Sequence, residues 1–324
     1  MLVSAGLALL SGGVCAQGSV LIGLITKTEG NPFFVKMREG AKAEARKLGA
    51  SLLTAAGAQD GDTATQIAAM ESMTLAGVKT ILIASNGDAI VPTVKKIKAK
   101  GVQVIALDSP FEGADALFAT NNYQAGVLIG QYAKAALAGK PAKIATLDLF
   151  PGHPVGAQRH NGFMHGFGLA AADASSNDLS AAPAVVCMAD SFGDAAKGEV
   201  AMASCLQKNP GINLVYTINE PAATGAYAAL QKVGKAGAVV IVSVDGGCNG
   251  VADVGAGKIA ATSQQYPLRM AARGLAAGVH YARSGKKAEG YVDTGVNLIT
   301  GTPLAGVDSK DVHTGTQLCW GKKG

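Results

Sequence analysis

Two asparagine–aspartate pairs recur in the same structural context. Thr80-Ile81-Leu82-Ile83-Ala84-Ser85-Asn86 reads as a β-branched strand followed by a helix, Gly101, a second strand and Asp108. Leu214-Val215-Tyr216-Thr217-Ile218-Asn219 leads in the same order through a helix, Gly237 and a strand to Asp245. Amides both donate and accept, and carboxylates accept strongly. In open parallel sheets the rim beyond the carboxyl ends of the strands is where ligands bind. Two such rims facing each other would line one cleft with Asn86, Asp108, Asn219 and Asp245. Asn and Asp favour loops on conformational grounds alone, so it is the repeated strand–helix–Gly–strand order that makes the pairs informative.

The loop after the first strand reads Thr26-Lys27-Thr28-Glu29-Gly30-Asn31-Pro32-Phe33-Phe34. It has neither G-x-G-x-x-G nor a phosphate-cradling lysine, which argues against a nucleotide site. Asn31 brings an amide, and Phe33 and Phe34 open a helix whose successive side chains diverge by about 100°. One ring can therefore face a cleft; the other reading is a staple that fixes the helix start. Apolar faces of sugars pack on such rings while amides and carboxylates take the hydroxyls. Nucleophilic and metal chemistry find little support. His153, His160 and His165 lack the i, i+4 spacing of a metal pair and are expected in loops or on the surface. There is no G-x-S-x-G elbow and no cysteine beside a base. Glu29 or Glu220 with a cleft aspartate is the pairing that would suit a glycosidase. No catalytic residue, metal or cofactor is expected.

The elements that must position these groups follow from composition and pattern. At roughly 150 residues per domain, 324 residues make about two domains. With 48% hydrophobic and 16% charged residues the chain is not disordered. A net charge of +5 without a basic block, and no basic residue before Lys27, give no nucleic-acid surface and no DNA-reading segment. β-branched runs at 19–25, 51–54, 80–84, 102–107, 143–147, 184–187, 214–217, 239–242 and 259–262 alternate with helical stretches, which predicts an α/β fold with parallel sheets covered on both faces. Phe33, Met37, Ala41, Ala45 and Leu48 carry a helical period that Gly49 stops, and Asp62, Asp88 and Asp194 stand where helix caps belong. Residues 2–10 are apolar and precede Val14-Cys15-Ala16, which reads as a leader cleaved near Ala16 and hence export. A buried amino-terminal strand is the other reading; a lipid anchor on Cys15 is disfavoured by Val14. Cys187, Cys205, Cys248 and Cys319 remain, an even number that suits two disulfides with three possible pairings. A strand and the helix after it favour Cys187 with Cys205, and Cys248 with Cys319 would then tie the last residues to a loop. Four buried free thiols are the alternative.

Asn31-Pro32-Phe33-Phe34, Leu107-Asp108-Ser109-Pro110 and Val244-Asp245-Gly246-Gly247 resemble the periplasmic sugar-binding proteins of ABC importers, of the ribose, galactose and fructose type. Tyr216-Thr217-Ile218-Asn219-Glu220-Pro221-Ala222-Ala223 and the ending Leu318-Cys319-Trp320-Gly321 are most similar to the fructose/ribose-type branch. The resemblance implies the type I fold shared with the sensors of lac-type repressors: two doubly wound parallel-sheet lobes joined by three hinge crossovers. Residues 18–121 with 265–294 would form one lobe, and 122–264 with 295–324 the other. It implies ligand contacts from Asn31, Phe33, Phe34, Asp108, Arg159, Phe192, Asn219, Asp245 and Gln265; Asn86 follows from the internal repeat. It implies a monosaccharide ligand, an ABC permease as partner, a monomer in the periplasm, and a chemoreceptor as an alternative partner. A polyol is the alternative ligand. Ribose binders carry an arginine directly after the strand-end aspartate, where this chain has Ser109, so a larger or differently oriented sugar is expected.

Overall fold

The structure, a computed structural model, describes residues 20–321; the expected leader at 1–16 lies outside them. Five strands come first: β1 (Leu21–Thr26), β2 (Ser51–Ala56), β3 (Thr80–Ile83), β4 (Gln103–Leu107) and β5 (Ala116–Ala119). Five more follow: β6 (Ile144–Asp148), β7 (Val185–Asp190), β8 (Leu214–Thr217), β9 (Val240–Asp245) and β10 (Ala261–Gln264). The last two, β11 (Gly290–Asp293) and β12 (Asn297–Thr300), part company. One sheet runs β11-β5-β4-β3-β1-β2 and the other β12-β10-β9-β8-β6-β7. Every pairing is parallel except β10 with β12.

Among the described residues ten α-helices connect them: α1 (Pro32–Leu48), α2 (Thr63–Leu75), α3 (Val91–Lys98), α4 (Asn122–Ala136), α5 (Pro154–Phe167), α6 (Ala195–Lys208), α7 (Glu220–Lys232), α8 (Cys248–Gly255), α9 (Pro267–Ser284) and α10 (Val312–Leu318). The chain leaves the first sheet after β5 and builds the second. It returns through α9, which packs on α1, β3 and β4, and crosses once more between β11 and β12. Two doubly wound α/β lobes result, the expected architecture. Among the described residues no helix is long and apolar enough to cross a membrane.

The interior strands β1, β3 and β4 are near-continuous apolar runs because helices cover both faces of a parallel sheet. β2, at the edge, is half exposed. At the head of α1, Asn31 accepts from the Phe33 amide and Pro32 occupies the first turn; Gly49, at φ 63°, ends the helix by donating to Ala45 and Arg46. Asp62 and Asp194 cap α2 and α6 through the amides of Thr65 and Lys197. Asp88 does not cap: it begins a short 3-10 turn, Asp88–Ile90, entered from Gly87 at φ 148°. β5, β11 and β12 were not foreseen. Each is four residues long, and β11 is exposed enough to lack an apolar pattern.

Cys187 on β7 is bonded to Cys205 on α6, and Cys248 at the start of α8 to Cys319 after α10. The bonds close loops of 18 and 71 residues, stabilisation of about 3 and about 4 kcal/mol in the chain-entropy description. Replacing Cys248 and Cys319 together by serine is therefore expected to lower Tm more than replacing Cys187 and Cys205, measured by calorimetry.

Candidate functional site

Backbone strain marks the site before any side chain does. Four non-glycine residues among those described have positive φ: Asp108 (64°), Ala138 (48°), Phe192 (54°) and Asp245 (140°). Three of them stand at the carboxyl ends of β4, β7 and β9. Such conformations cost about 1–3 kcal/mol each and persist where the surroundings over-determine them. Asp108 is held by its own amide, which donates to the Phe118 carbonyl, and by the Ser109 hydroxyl, 3.1 Å from its Oδ2. Asp245 is held through Glu220, whose carboxylate accepts from the Gly246 and Gly247 amides at 2.8 and 2.9 Å and from the Thr262 hydroxyl at 2.8 Å.

The second lobe and the hinge converge on Asp245 Oδ1. Gln265, in the passage between β10 and α9, donates to it at 2.7 Å, and the Arg159 guanidinium from α5 at 3.3 Å. Arg159 is itself oriented by the Ile218 carbonyl and by Asn122 Oδ1, each at 2.9 Å. Burial pushes Asp245 up to about 6; Arg159 and Gln265 pull against it and Asp108, reaching across from the first lobe, pushes further up. Glu220 is raised to about 8 by burial and by Asp245, against the pull of its three donors. Gln265 Oε1 is buried with no partner. One oxygen of Asp245, the side-chain Oε1 of Gln265 and the Arg159 guanidinium thus form a preorganised set of acceptors and donors.

The other expected residues fall in several environments. Asn31 is exposed and spends its oxygen on the α1 cap. Its loop is fastened from below by Arg38, which donates to Thr26, to the Thr28 carbonyl and to the Glu29 carbonyl. Phe33 and Phe34 are both buried, edge to face with centroids 5.2 Å apart, and Phe33 meets Trp320 in the same way at 5.1 Å. Phe192 is 49% exposed, with the Lys197 ammonium over its ring and Phe150 beside it. Asn219 caps α7 and donates to the Gly193 carbonyl. Asn86 donates to the carbonyls of Lys27, Gln59 and Asp62, tying three loops together, while its Oδ1 is buried without a partner. The two repeated asparagines therefore do different work, one as a helix cap and one as a loop tie.

Of the three histidines expected in loops or on the surface, His165 is exposed and His153 lies in the loop that enters α5, but His160 corrects the expectation. His160 is fully buried, with Nδ1 2.8 Å from Asp148 Oδ1 and Nε2 2.8 Å from the Ser180 carbonyl. Both partners only accept, so the ring that satisfies both is an imidazolium. Burial pulls its pKa down, but the charge and hydrogen bond of Asp148 and the Ser180 carbonyl together raise it. A raised histidine contributes stability fully below its usual 6.5 and loses it as pH rises through the folded value; the raised Glu220 carboxyl also costs more as pH climbs toward 8. Tm is therefore expected to fall by several degrees between pH 6 and pH 8.5, as differential scanning calorimetry would show.

His153, at the entrance to α5, is the residue that sequence reasoning passed over. Its Nδ1 is buried without a partner, and burial together with Lys27 and Arg159 lowers its pKa to about 3, so the ring is neutral. Lys27, whose charge acts on the ring, belongs to the first lobe. Pro154 in the first helical position was the available signal, because it fixes the preceding residue as the helix entrance.

Residues 22–287 match the family profile described as periplasmic binding protein domain. The chain belongs to that family. The ribose import binding protein RbsB of Salmonella typhimurium (strain LT2) is 33% identical over 263 residues, covering 80% of this chain and 84% of the relative. The D-allose-binding periplasmic protein of Escherichia coli (strain K12) is 28% identical over 274 residues, 81% of this chain and 85% of its own. Among solved structures, an ABC transporter solute binding protein from Mycobacterium smegmatis with bound glycerol superposes with a TM-score of 0.77 at 25% identity, covering 92% of this chain and 96% of the other. In this periplasmic binding protein the strained strand end at Asp245 meets Gln265, in the passage between β10 and α9.

Proposed function

We propose that this periplasmic binding protein is exported, binds one monosaccharide between its lobes and presents it to the permease of an ABC importer without chemical change. The observation that carries the reading is the convergence of Arg159 and Gln265 on Asp245, on which the charge of Asp108 in the other lobe also acts. Carboxylates and a guanidinium make strong hydrogen bonds to neutral hydroxyls, about 1.5–3 kcal/mol each, and their opposite charges balance inside a closed cleft. Asn31, His153 and the unpartnered oxygens of Gln265 and Asn86 supply further polar contacts; Phe33, Phe34 and Phe192 supply rings. The relatives named for ribose import and D-allose binding support a pentose or hexose as the ligand. Ser109, which donates to Asp108, stands where ribose binders have an arginine, and leaves space for a hexose.

A binding role without turnover also accounts for Glu220. It is the carboxylate that a glycosidase pairing with Asp245 would need, yet its two oxygens are occupied by Gly246, Gly247 and Thr262. Glu29 is 77% exposed and leans on Arg38.

A thermal-shift screen of the chain from Gln17 against D-ribose, D-allose, D-fructose, D-galactose and polyols tests the reading. A sugar at 100 times its Kd adds about 2.7 kcal/mol, a shift of several degrees for a protein of this size. No shift with any carbohydrate overturns it.

A further inference from the structure

The carboxyl-terminal tail does something that neither lobe does alone. Cys319 ties it to Cys248, at the start of α8 in the second lobe, and α10 packs on α8 and β12 of that lobe. Yet the next residue, Trp320, is 6% exposed and buried in the apolar cluster of the first lobe, with Phe33, Phe34, Ile22 and Met37. Its ring meets Phe33 edge to face at 5.1 Å. Its indole N–H donates to the backbone carbonyl of Gln265 at 3.2 Å, and its own carbonyl accepts from the Cys248 amide at 2.8 Å. Trp320 also bridges to Gly247, two residues past Asp245. One side chain and its backbone therefore touch the ring loop of the first lobe, the hinge glutamine that donates to Asp245, and the loop that follows Asp245.

We propose that Trp320, held in place by the Cys248–Cys319 disulfide, is a positioning residue for the sugar site: it backs Phe33 against the ligand and fixes Gln265 relative to Asp245. The inference rests on the proposed sugar-binding reading. It assigns a role to the Cys319-Trp320 ending, which the contact set around the ligand leaves unused. The side chain gains its effect through preorganisation. Phe33 can lean away from a ligand only by giving up its contact with the indole, and the Gln265 backbone can shift only by losing the indole N–H that donates to its carbonyl. A tail that were merely a stabilising strap would not need to meet both lobes at the residues nearest the ligand.

Trp320 is the one tryptophan of the sequence, so its fluorescence reports on this position alone. The experiment measures sugar affinity by isothermal titration calorimetry, and tryptophan emission with and without saturating sugar. It uses the wild type, Trp320→Ala, Trp320→Phe, Phe33→Leu and the double variant Cys248→Ser with Cys319→Ser. Wild-type emission should change on saturation with the same Kd as calorimetry. Trp320→Ala should weaken binding about three- to tenfold, the equilibrium equivalent of one aromatic pair, and Trp320→Phe should recover part of that loss. The double serine variant should shift emission to the red and weaken binding to a similar degree, and Phe33→Leu should alter emission without ligand. Unchanged affinity in Trp320→Ala, with circular dichroism showing it folded, overturns the proposal. Should the wild type bind none of the sugars, the sugar reading fails. The positioning role is then decided by the ligand-free spectra: emission unaltered by both Phe33→Leu and the double serine variant rejects it.

Discussion

Asp245→Ala is expected to weaken monosaccharide binding by about a hundredfold or more, while leaving the protein as stable as the wild type or more so. One charged hydrogen bond to a ligand hydroxyl is worth about 1.5–3 kcal/mol, or roughly ten- to a hundredfold in Kd. The substitution removes more than that bond. Arg159 keeps the Ile218 carbonyl and Asn122 but loses its carboxylate partner, and Gln265 loses the acceptor that orients its amide. The folded chain is simultaneously relieved of a buried carboxylate that its surroundings raise to about 6 and that raises Glu220 in turn. Loss of binding with Tm unchanged or increased is the signature of a residue kept for function against stability. The same carboxylate sets the pH dependence of binding. A raised carboxyl must be deprotonated to accept from a hydroxyl with both oxygens, so affinity should decline as pH falls through about 6. Titration calorimetry at pH 5, 6, 7 and 8 checks this. Wild-type affinity in Asp245→Ala would place the ligand elsewhere in the protein.

Much of this organisation is legible in the sequence, and the gaps have physical causes. The interior strands announce themselves because a parallel sheet covered on both faces requires apolar, β-branched runs. Asp108 and Asp245 are visible because each directly follows such a run. β11 is not, since a four-residue edge strand is specified by its partner β5, far away in the sequence, and not by its own pattern. The internal repeat suggested equal roles for Asn86 and Asn219. In the folded chain Asn219 heads a thirteen-residue helix, while Asn86 meets a 3-10 turn. Arg159 and Gln265 entered by resemblance, since nothing local distinguishes a buried guanidinium from a surface one. His153 and Asn122 depend on how α4 and α5 approach each other, and Trp320 on the chain returning to the other lobe. These are properties of tertiary contacts.

The approach of α4 to α5 is also where a single methyl group should do most damage. Exchanging a helical glycine for alanine ordinarily stabilises by about 1 kcal/mol. Gly162→Ala is expected to reverse that sign. A Cβ at position 162 would stand 2.0 Å from the Tyr123 carbonyl oxygen, and the reciprocal positions Gly126, Gly130 and Gly166 meet backbone oxygens at 2.1, 2.3 and 2.1 Å. Backbone packs on backbone along two turns of each helix, so no side chain can swing aside and the helices must separate. Overpacking of this kind costs about 1–3 kcal/mol even where side chains can adjust, and more where they cannot. A loss near 3 kcal/mol or above corresponds to a fall in Tm of roughly 6–12 °C. The damage should reach the ligand as well. Arg159 rides on α5 and is aligned by Asn122 on α4 at 2.9 Å, so separating the helices moves the guanidinium away from Asp245 and should weaken binding in whatever fraction remains folded. Gly274→Ala on α9 provides the contrast: its added Cβ meets only the flexible ends of Leu107 and Leu82, at 3.0 and 3.5 Å, and should cost far less. Equal Tm changes for the two variants would mean that the α4–α5 contact is looser than its glycines imply, and that Arg159 owes its position to Asn122 and the Ile218 carbonyl alone.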